Sequence, residues 1–221
     1  MLITLEVIME VTSHYSLPCP FESGSAIGVY GPSRAGKSTF IKKLIEYKDM
    51  MFTREPQKIM YCYAIWSKDF ENMDGVLFNK GLPDLETIQA FSEGEHSLLV
   101  LDDLIHEVCK SGWADQIFTT ASHHLDMTVV FISQNLFPQG KNMRNIALNL
   151  TYIVLFRSPR DVNQVGVLGS QLGERKNFLA AYIDSTKSPY GYLTLDFTPK
   201  CIEELRWRTN IFPGELVVTY T

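Results

Sequence analysis

One segment constrains this chain more than any other: Gly31, Pro32, Ser33, Arg34, Ala35, Gly36, Lys37 and Ser38. It joins two runs of different period. Before it, SAIGVY (residues 25–30) is a short apolar run suited to a buried strand. After it, Phe40, Ile41, Leu44 and Ile45 recur at helical spacing. A strand, a glycine-rich turn and an amphipathic helix in that order satisfy GxxxxGK[ST], the Walker A pattern. Successive backbone N–H groups in such a turn converge on phosphate oxygens, and the helix N-terminus adds its positive dipole end. The residue types assign the roles. Lys37 is expected to reach the β- and γ-phosphates, Ser38 to ligate Mg²⁺, and Thr39 to touch the α-phosphate. Arg34 is unusual inside the loop; it either touches phosphate or faces solvent, and solvent is the reading adopted.

The remaining pattern predicts an α/β chain with a mostly parallel sheet flanked by helices. Strands are expected at residues 25–30, 59–66, 76–78, 96–103, 128–133, 152–157 and 192–197. Helices are expected at 37–50, from Asp84 through Phe91, from Leu104, at 113–124, at 161–172 and at 174–185. Residues 135–145 read as a polar loop. Residues 1–221 read as a single domain with its core at about 20–200 and a C-terminal tail at 201–221.

Two acids, Asp102 and Asp103, end the apolar run LLVL. A carboxylate at the C-terminal end of a buried strand can hold Mg²⁺ opposite Ser38, and Asp102 is expected to do so. Asp103 can then orient or deprotonate the attacking water. Gln134 closes the next apolar strand, where an amide can sense the γ-phosphate and position that water. Asn79, Lys80 and Gly81 begin like a guanine-reading NKxD motif, but Leu82 stands where the acid belongs. ATP is therefore preferred over GTP.

With 45% hydrophobic and 20% charged residues, the chain is not disordered or a coiled coil throughout. The net charge of −5 excludes a general attraction to nucleic acid or anionic membrane, so any such contact has to come from a local patch or from pooled copies. Cys19, Cys62, Cys109 and Cys201 form no CxxC pair. Reduced thiols in an intracellular setting are expected, and His106 with Cys109 reads as a packed helix face rather than half a metal site. The N-terminus lacks a basic region before its apolar residues and is not read as a signal peptide. No apolar run is long enough to span a bilayer, and no membrane partner is expected.

Six segments together resemble a known family: GPSRAGKST, LLVLDD, VVFISQNLFPQGKNMRNIALN, YIVLFRSPRD, PYGYLTLDFTPK and LRWRTNIFPGE. In that order they are similar to the genome-packaging ATPases of Maverick/Polinton elements and adintovirus-like viruses, in the FtsK/HerA branch of P-loop ATPases. The resemblance covers about residues 20 to 218. It implies a RecA-like P-loop NTPase core and a homo-oligomeric ring, usually a hexamer. It also implies ATP-driven translocation of double-stranded DNA into a capsid, with capsid protein as a partner and the nucleus, the viral assembly site or the virion as location. The glutamine expected after the strand following the acid pair is matched by Gln134. Arg34 and Ala35 depart from the commoner GPTxSGK form.

Ring motors complete each site with an arginine from a neighbour, worth roughly 10³–10⁵ in rate. The candidates are Arg144, Arg157, Arg160, Arg206 and Arg208, with Arg144 first and Arg160 second. Lys141 and Arg144, with Phe137, make the 135–145 loop the expected contact for DNA phosphates when several copies pool their charge. Two other classes share a P-loop at this length. A small-molecule kinase ordinarily shows an arginine-rich lid, absent here, and the acid pair with Gln134 suits water activation better. A non-catalytic chain would be a nucleotide-gated assembly scaffold or a decayed copy. Intact Lys37, Ser38, Asp102 and Gln134 speak against decay, while Asp103 rather than Glu leaves room for weak hydrolysis.

Overall fold

The computed structural model describes residues 11–14, 20–68, 70, 73–110, 113, 117, 126–136 and 143–221, with only the backbone at 11–14, 106, 109–110 and 143–145. Among the described residues ten strands form one sheet: β1 Val11–His14, β2 Ala26–Tyr30, β3 Lys58–Tyr63, β4 Val76–Lys80, β5 Ser97–Asp102, β6 Met127–Ser133, β7 Tyr152–Phe156, β8 Tyr192–Asp196, β9 Trp207–Thr209 and β10 Val217–Tyr220. Their spatial order is β1-β10-β9-β8-β7-β2-β6-β5-β3-β4. From β4 across to β7 every pairing is parallel. From β7 outward to β1 every pairing is antiparallel.

The α-helices fully within the described residues are α1 Lys37–Glu46, α2 Lys48–Met51, α3 Leu85–Ser92, α4 Ile105–Lys110, α5 Met143–Asn149, α6 Val162–Gln171 and α7 Arg175–Ser185. Asp84 caps α3, accepting from the Thr87 N–H at 2.7 Å, as its residue type predicts. The helix expected over 37–50 is interrupted at Tyr47, whose φ of −101° and ψ of 28° separate α1 from α2. The helix expected at 113–124 lies largely outside the described residues; within it, Trp113 and Ile117 are buried. None of the described helices is long and apolar enough to cross a membrane.

The sheet has an apolar core on each face. Leu99, Leu101, Val129 and Phe131 face one core, with Ile105, Val108, Leu168 and Phe178. Leu98, Val100, Val130 and Ile132 face the other, with Phe40, Ile41 and Leu44 of α1. Burial on both faces explains why the central strands read as unbroken apolar runs instead of alternating ones. It also sets the direction of Asp102: two residues beyond Val100, it falls on the face covered by α1.

Two segments differ from expectation. The supposed loop at 135–145 is irregular at 135–136 and helical at 143–145, where α5 begins, with residues 137–142 outside those described; Ile146 and Leu150 are buried one turn apart. The supposed tail contributes β9 and β10 to the same sheet. Its buried positions include Arg208, Thr209 and Thr219, polar residues that disguise a packed strand.

Candidate active site

The parallel register brings three chain exits to one edge of the sheet. β2 and β6 align Tyr30 with Ser133, so Gly31 and Gln134 leave the sheet side by side. The Gly31 N–H donates to the Ser133 carbonyl at 3.3 Å. β5 and β6 align Asp102 with Ile132, and the Asp103 N–H donates to the Ile132 carbonyl at 3.1 Å. Ligands of open parallel sheets bind at this C-terminal edge.

The turn from β2 into α1 lies tightly against β7. A Cβ on Gly31 would stand 2.6 Å from Phe156 Cβ, so only glycine fits there. Gly36 takes φ 113°, which an L side chain rarely adopts, and a Cβ there would also stand 3.0 Å from Tyr190 Cδ1. Arg34 is left-handed at φ 65° and exposed, consistent with the solvent-facing reading.

Lys37 begins α1 and is only 9% exposed. Its Nζ donates to the carbonyls of Gly31 at 2.6 Å and Pro32 at 3.0 Å, so the ammonium lies folded into the loop. Burial pulls its pKa below the ordinary lysine range, while Asp103 and Asp102 act in the opposite direction. The lysine-bearing turn and the acid pair therefore share one electrostatic environment.

Asp102 accepts from the Tyr61 hydroxyl at 2.7 Å. Burial holds its carboxyl above the ordinary range; Tyr61 opposes that shift, Asp103 adds to it, and Lys37 opposes it. Asp103 leaves the strand at φ 54°, a left-handed angle that aspartate tolerates better than most residues. Its carboxylate is exposed and accepts from Gln134 Nε2 at 3.1 Å, while Ser33 Oγ donates to Gln134 Oε1 at 3.3 Å. Ser33, Gln134 and Asp103 thus form a continuous chain from the glycine-rich turn to the acid pair.

The donor chemistry fits a magnesium nucleotide. Ser38 and Asp102 offer hard oxygen ligands, and the loop and the first turn of α1, through Thr39, offer N–H groups for phosphate.

Sequence reasoning missed Tyr61. It sits on β3, aligned with Val100 on β5, and reaches Asp102 on the same face. Strand order and register carry that contact, and neither is written in the local pattern. The arginines separate by environment. Arg208 is 3% exposed, donating to Leu205 O at 2.7 Å and to Asp196 Oδ2 at 3.1 Å. Arg206 donates to Glu203, to the Asp196 carbonyl and to the Cys201 carbonyl. Both brace the β8–β9 corner. Arg157 and Arg160 are exposed just beyond β7. The backbone of Arg144 lies in α5; its side chain, with Phe137, Lys141, His106 and Cys109, lies outside what is described. Burial pushes the Cys62 thiol up to about 12, which marks it as a packed, unreactive group.

No family model matches the chain. No curated protein matches it. Solved structures do. The cytoplasmic domain of the type VII secretion ATPase EccC from Thermomonospora curvata superposes on 89% of this chain at 13% identity, with a TM-score of 0.51. This chain spans about a quarter of that protein's length, with 25% covered. A KaiC-like protein, PH0186 from Pyrococcus horikoshii, is similar over 89% of this chain and 90% of its own at 12% identity and a TM-score of 0.46. The type III secretion ATPase EscN from enteropathogenic E. coli is similar over 63% and 45% at 14% identity and a TM-score of 0.40. At 13% identity the likeness to the first of these is one of fold alone: α/β, RecA-like, as in P-loop NTPases.

Proposed function

We propose that the chain hydrolyses ATP and uses that hydrolysis to move double-stranded DNA into a viral or transposon capsid. The observation that carries the hydrolytic part is the meeting of Lys37, Asp102, Asp103 and Gln134 at one sheet edge. Lys37 exchanges the carbonyls of Gly31 and Pro32 for β- and γ-phosphate oxygens. Backbone N–H groups of the loop and Thr39 take the remaining phosphate charge. Ser38 and Asp102 hold Mg²⁺, which when bound neutralises phosphate charge that builds in the transition state. Gln134 orients a water, and Asp103 receives its proton as the water oxygen bonds the γ-phosphorus. The bond to the β–γ bridging oxygen breaks, and ADP leaves with that oxygen. The bond from Gln134 to Asp103 holds acceptor and amide on the same side of the loop.

Support for the motor part comes from the SQNLFPQGK, SPRD and RTNIFPGE segments and their similarity to packaging ATPases. A ring places several copies of the 135–145 segment around one pore, where Lys141 and Arg144 grip phosphates without reading sequence. The same ring lets an arginine of one subunit, with Arg144 and Arg160 the leading choices, act at its neighbour's site. Phosphate release from ATP, followed with and without duplex DNA alongside mass by light scattering, tests the whole reading. The expected result is a multimer whose phosphate release rises with DNA. Fast phosphoryl transfer to a nucleoside without free phosphate would instead identify a kinase. A Lys141→Ala, Arg144→Ala double variant that keeps full DNA stimulation removes that segment as the contact.

A further inference from the structure

The loop has two sides. Asp102, Asp103 and Gln134 lie on the side of β5 and β6, which sets the γ-phosphate end of a bound triphosphate if the loop binds nucleotide as proposed above. On the other side, toward β7 and β8, a cleft of about 380 Å³ opens directly beside Arg34 and Ala35. That volume is in the range of small-molecule sites. Arg157, Lys187, Ser188, Pro189, Tyr190 and Gly191 complete its lining, which holds no carboxylate side chain, although Lys187 is paired with Asp184 at 2.8 Å.

Tyr190 is held there in an unusual way. The Gly191 N–H donates to the Ser188 carbonyl at 3.0 Å, closing a turn with Pro189 second and Tyr190 third. Tyr190 has φ 63°, at a turn position ordinarily left to glycine or asparagine. Its ring edge packs on Gly36, since a Cβ on that glycine would come within 3.0 Å of Tyr190 Cδ1. Even so, Tyr190 stays 66% exposed. A large aromatic residue is thus kept in a sterically costly backbone state, braced against the glycine-rich turn, with most of its surface open beside a cationic cleft. Strain of this kind concentrates where a side chain has a task.

We infer that Tyr190 is the nucleobase platform: the nucleoside half of the bound nucleotide lies in this cleft, its purine stacked on the Tyr190 ring. Arg34 and Arg157 flank it and offset the charge of the adjoining phosphates. Stacking is tolerant of the base because every base presents a π-face. With no carboxylate to accept from the amino edge of guanine, the cleft grips the ring and leaves discrimination between purines weak.

Calorimetric titration of the full chain with magnesium ATP and, separately, with magnesium tripolyphosphate tests this. Tyr190→Ala is expected to weaken ATP about 10- to 100-fold, the range of lost base–aromatic stacking. Tripolyphosphate, which has no base, should change by less than about twofold in the same variant. Tyr190→Phe keeps the ring and should keep ATP affinity within about threefold. An unchanged ATP affinity in Tyr190→Ala overturns the inference. So does an equal loss of ATP and tripolyphosphate, which would mean that Tyr190 only shapes the turn through Gly36. A loss in Tyr190→Phe matching that in Tyr190→Ala overturns it as well, assigning the effect to the hydroxyl. Failure of the unaltered chain to bind either compound is a different result: it removes the nucleotide reading itself.

Discussion

Tyr61→Phe isolates the contact that sets Asp102, the carboxylate proposed to hold Mg²⁺. Tyr61 is 0% exposed, its ring centroid 4.7 Å from that of Phe70 and 5.8 Å from that of Phe78. Phenylalanine keeps those ring contacts and removes the donor 2.7 Å from Asp102 Oδ2. A hydrogen bond to a charged group contributes about 1.5–3 kcal/mol. At this chain length that corresponds to a fall in Tm of roughly 3–12 °C. The same substitution in an Asp102→Asn background breaks only a neutral bond, worth about 0.5–1.5 kcal/mol. The double-mutant cycle should therefore show a coupling of about 1 kcal/mol between the two positions. Urea unfolding at neutral pH reads all four proteins. A second readout follows from the same bond. Without Tyr61 opposing it, the Asp102 pKa rises further, so magnesium-dependent ATP affinity should weaken more at pH 6 than at pH 8. Equal losses in both backgrounds would refute the reasoning, because the hydroxyl would then be acting elsewhere than on Asp102.

Asp103→Asn should retain ATP binding and lose turnover by about 10²–10⁴-fold, the usual contribution of a positioned base; turnover near that of the unaltered chain moves the base role elsewhere. Arg208→Met leaves the Asp196 carboxylate buried beside β9 without its cation, and breaking such a pair costs about 3–5 kcal/mol. Its unfolding midpoint in urea should fall accordingly, with Asp196→Leu in the same chain recovering part of the loss. Asp102 carries a distinct pH signature. Its native pKa lies above the ordinary value of 3.8, so the native state holds this proton where the unfolded chain has released it. The contribution of Asp102 to stability is largest below that ordinary value and declines as pH rises from there through the native pKa. Asp102→Asn should flatten that part of the stability profile, and a profile unaltered between about pH 4 and pH 7 would contradict the assignment.

The loop and its helix were legible because their determinants are local. Glycine spacing fixes the turn, and Phe40, Ile41, Leu44 and Ile45 mark one helix face regardless of what packs on it. The acid pair was legible for a related reason: a buried strand that ends in Asp102 and Asp103 changes environment within one residue. Gln134 followed from the same logic. Register was not legible, and with it Tyr61 stayed hidden, since its partner comes from the neighbouring strand. The antiparallel half of the sheet was also obscured. β9 and β10 are three and four residues long, and each buries polar groups that local hydropathy assigns to solvent. Tyr190 escaped because the sequence Ser-Pro-Tyr-Gly looks like an ordinary turn until its handedness is known.

The arrangement of charge around the loop bears on how a chain of net charge −5 would receive the polyanion proposed above. On one flank Asp102 and Asp103 face Lys37. The opposite flank carries Arg34, Arg157 and Lys187 around the cleft, with Arg160 exposed in the turn beyond β7. Field lines between the two flanks cross the glycine-rich turn, so local potential rather than net charge orients what binds there. The arginines divide along the same line. Arg206 and Arg208 are spent on backbone carbonyls, Glu203 and Asp196 inside the β8–β9 corner, and moving either into a neighbour's site would strand a buried carboxylate or carbonyl. Arg157 and Arg160 carry no such cost, because both already project into solvent at the loop's edge. Of the candidate arginines with described side chains, Arg157 and Arg160 are therefore the two that would serve a neighbouring subunit, in the ring proposed above, without dismantling the fold that presents them.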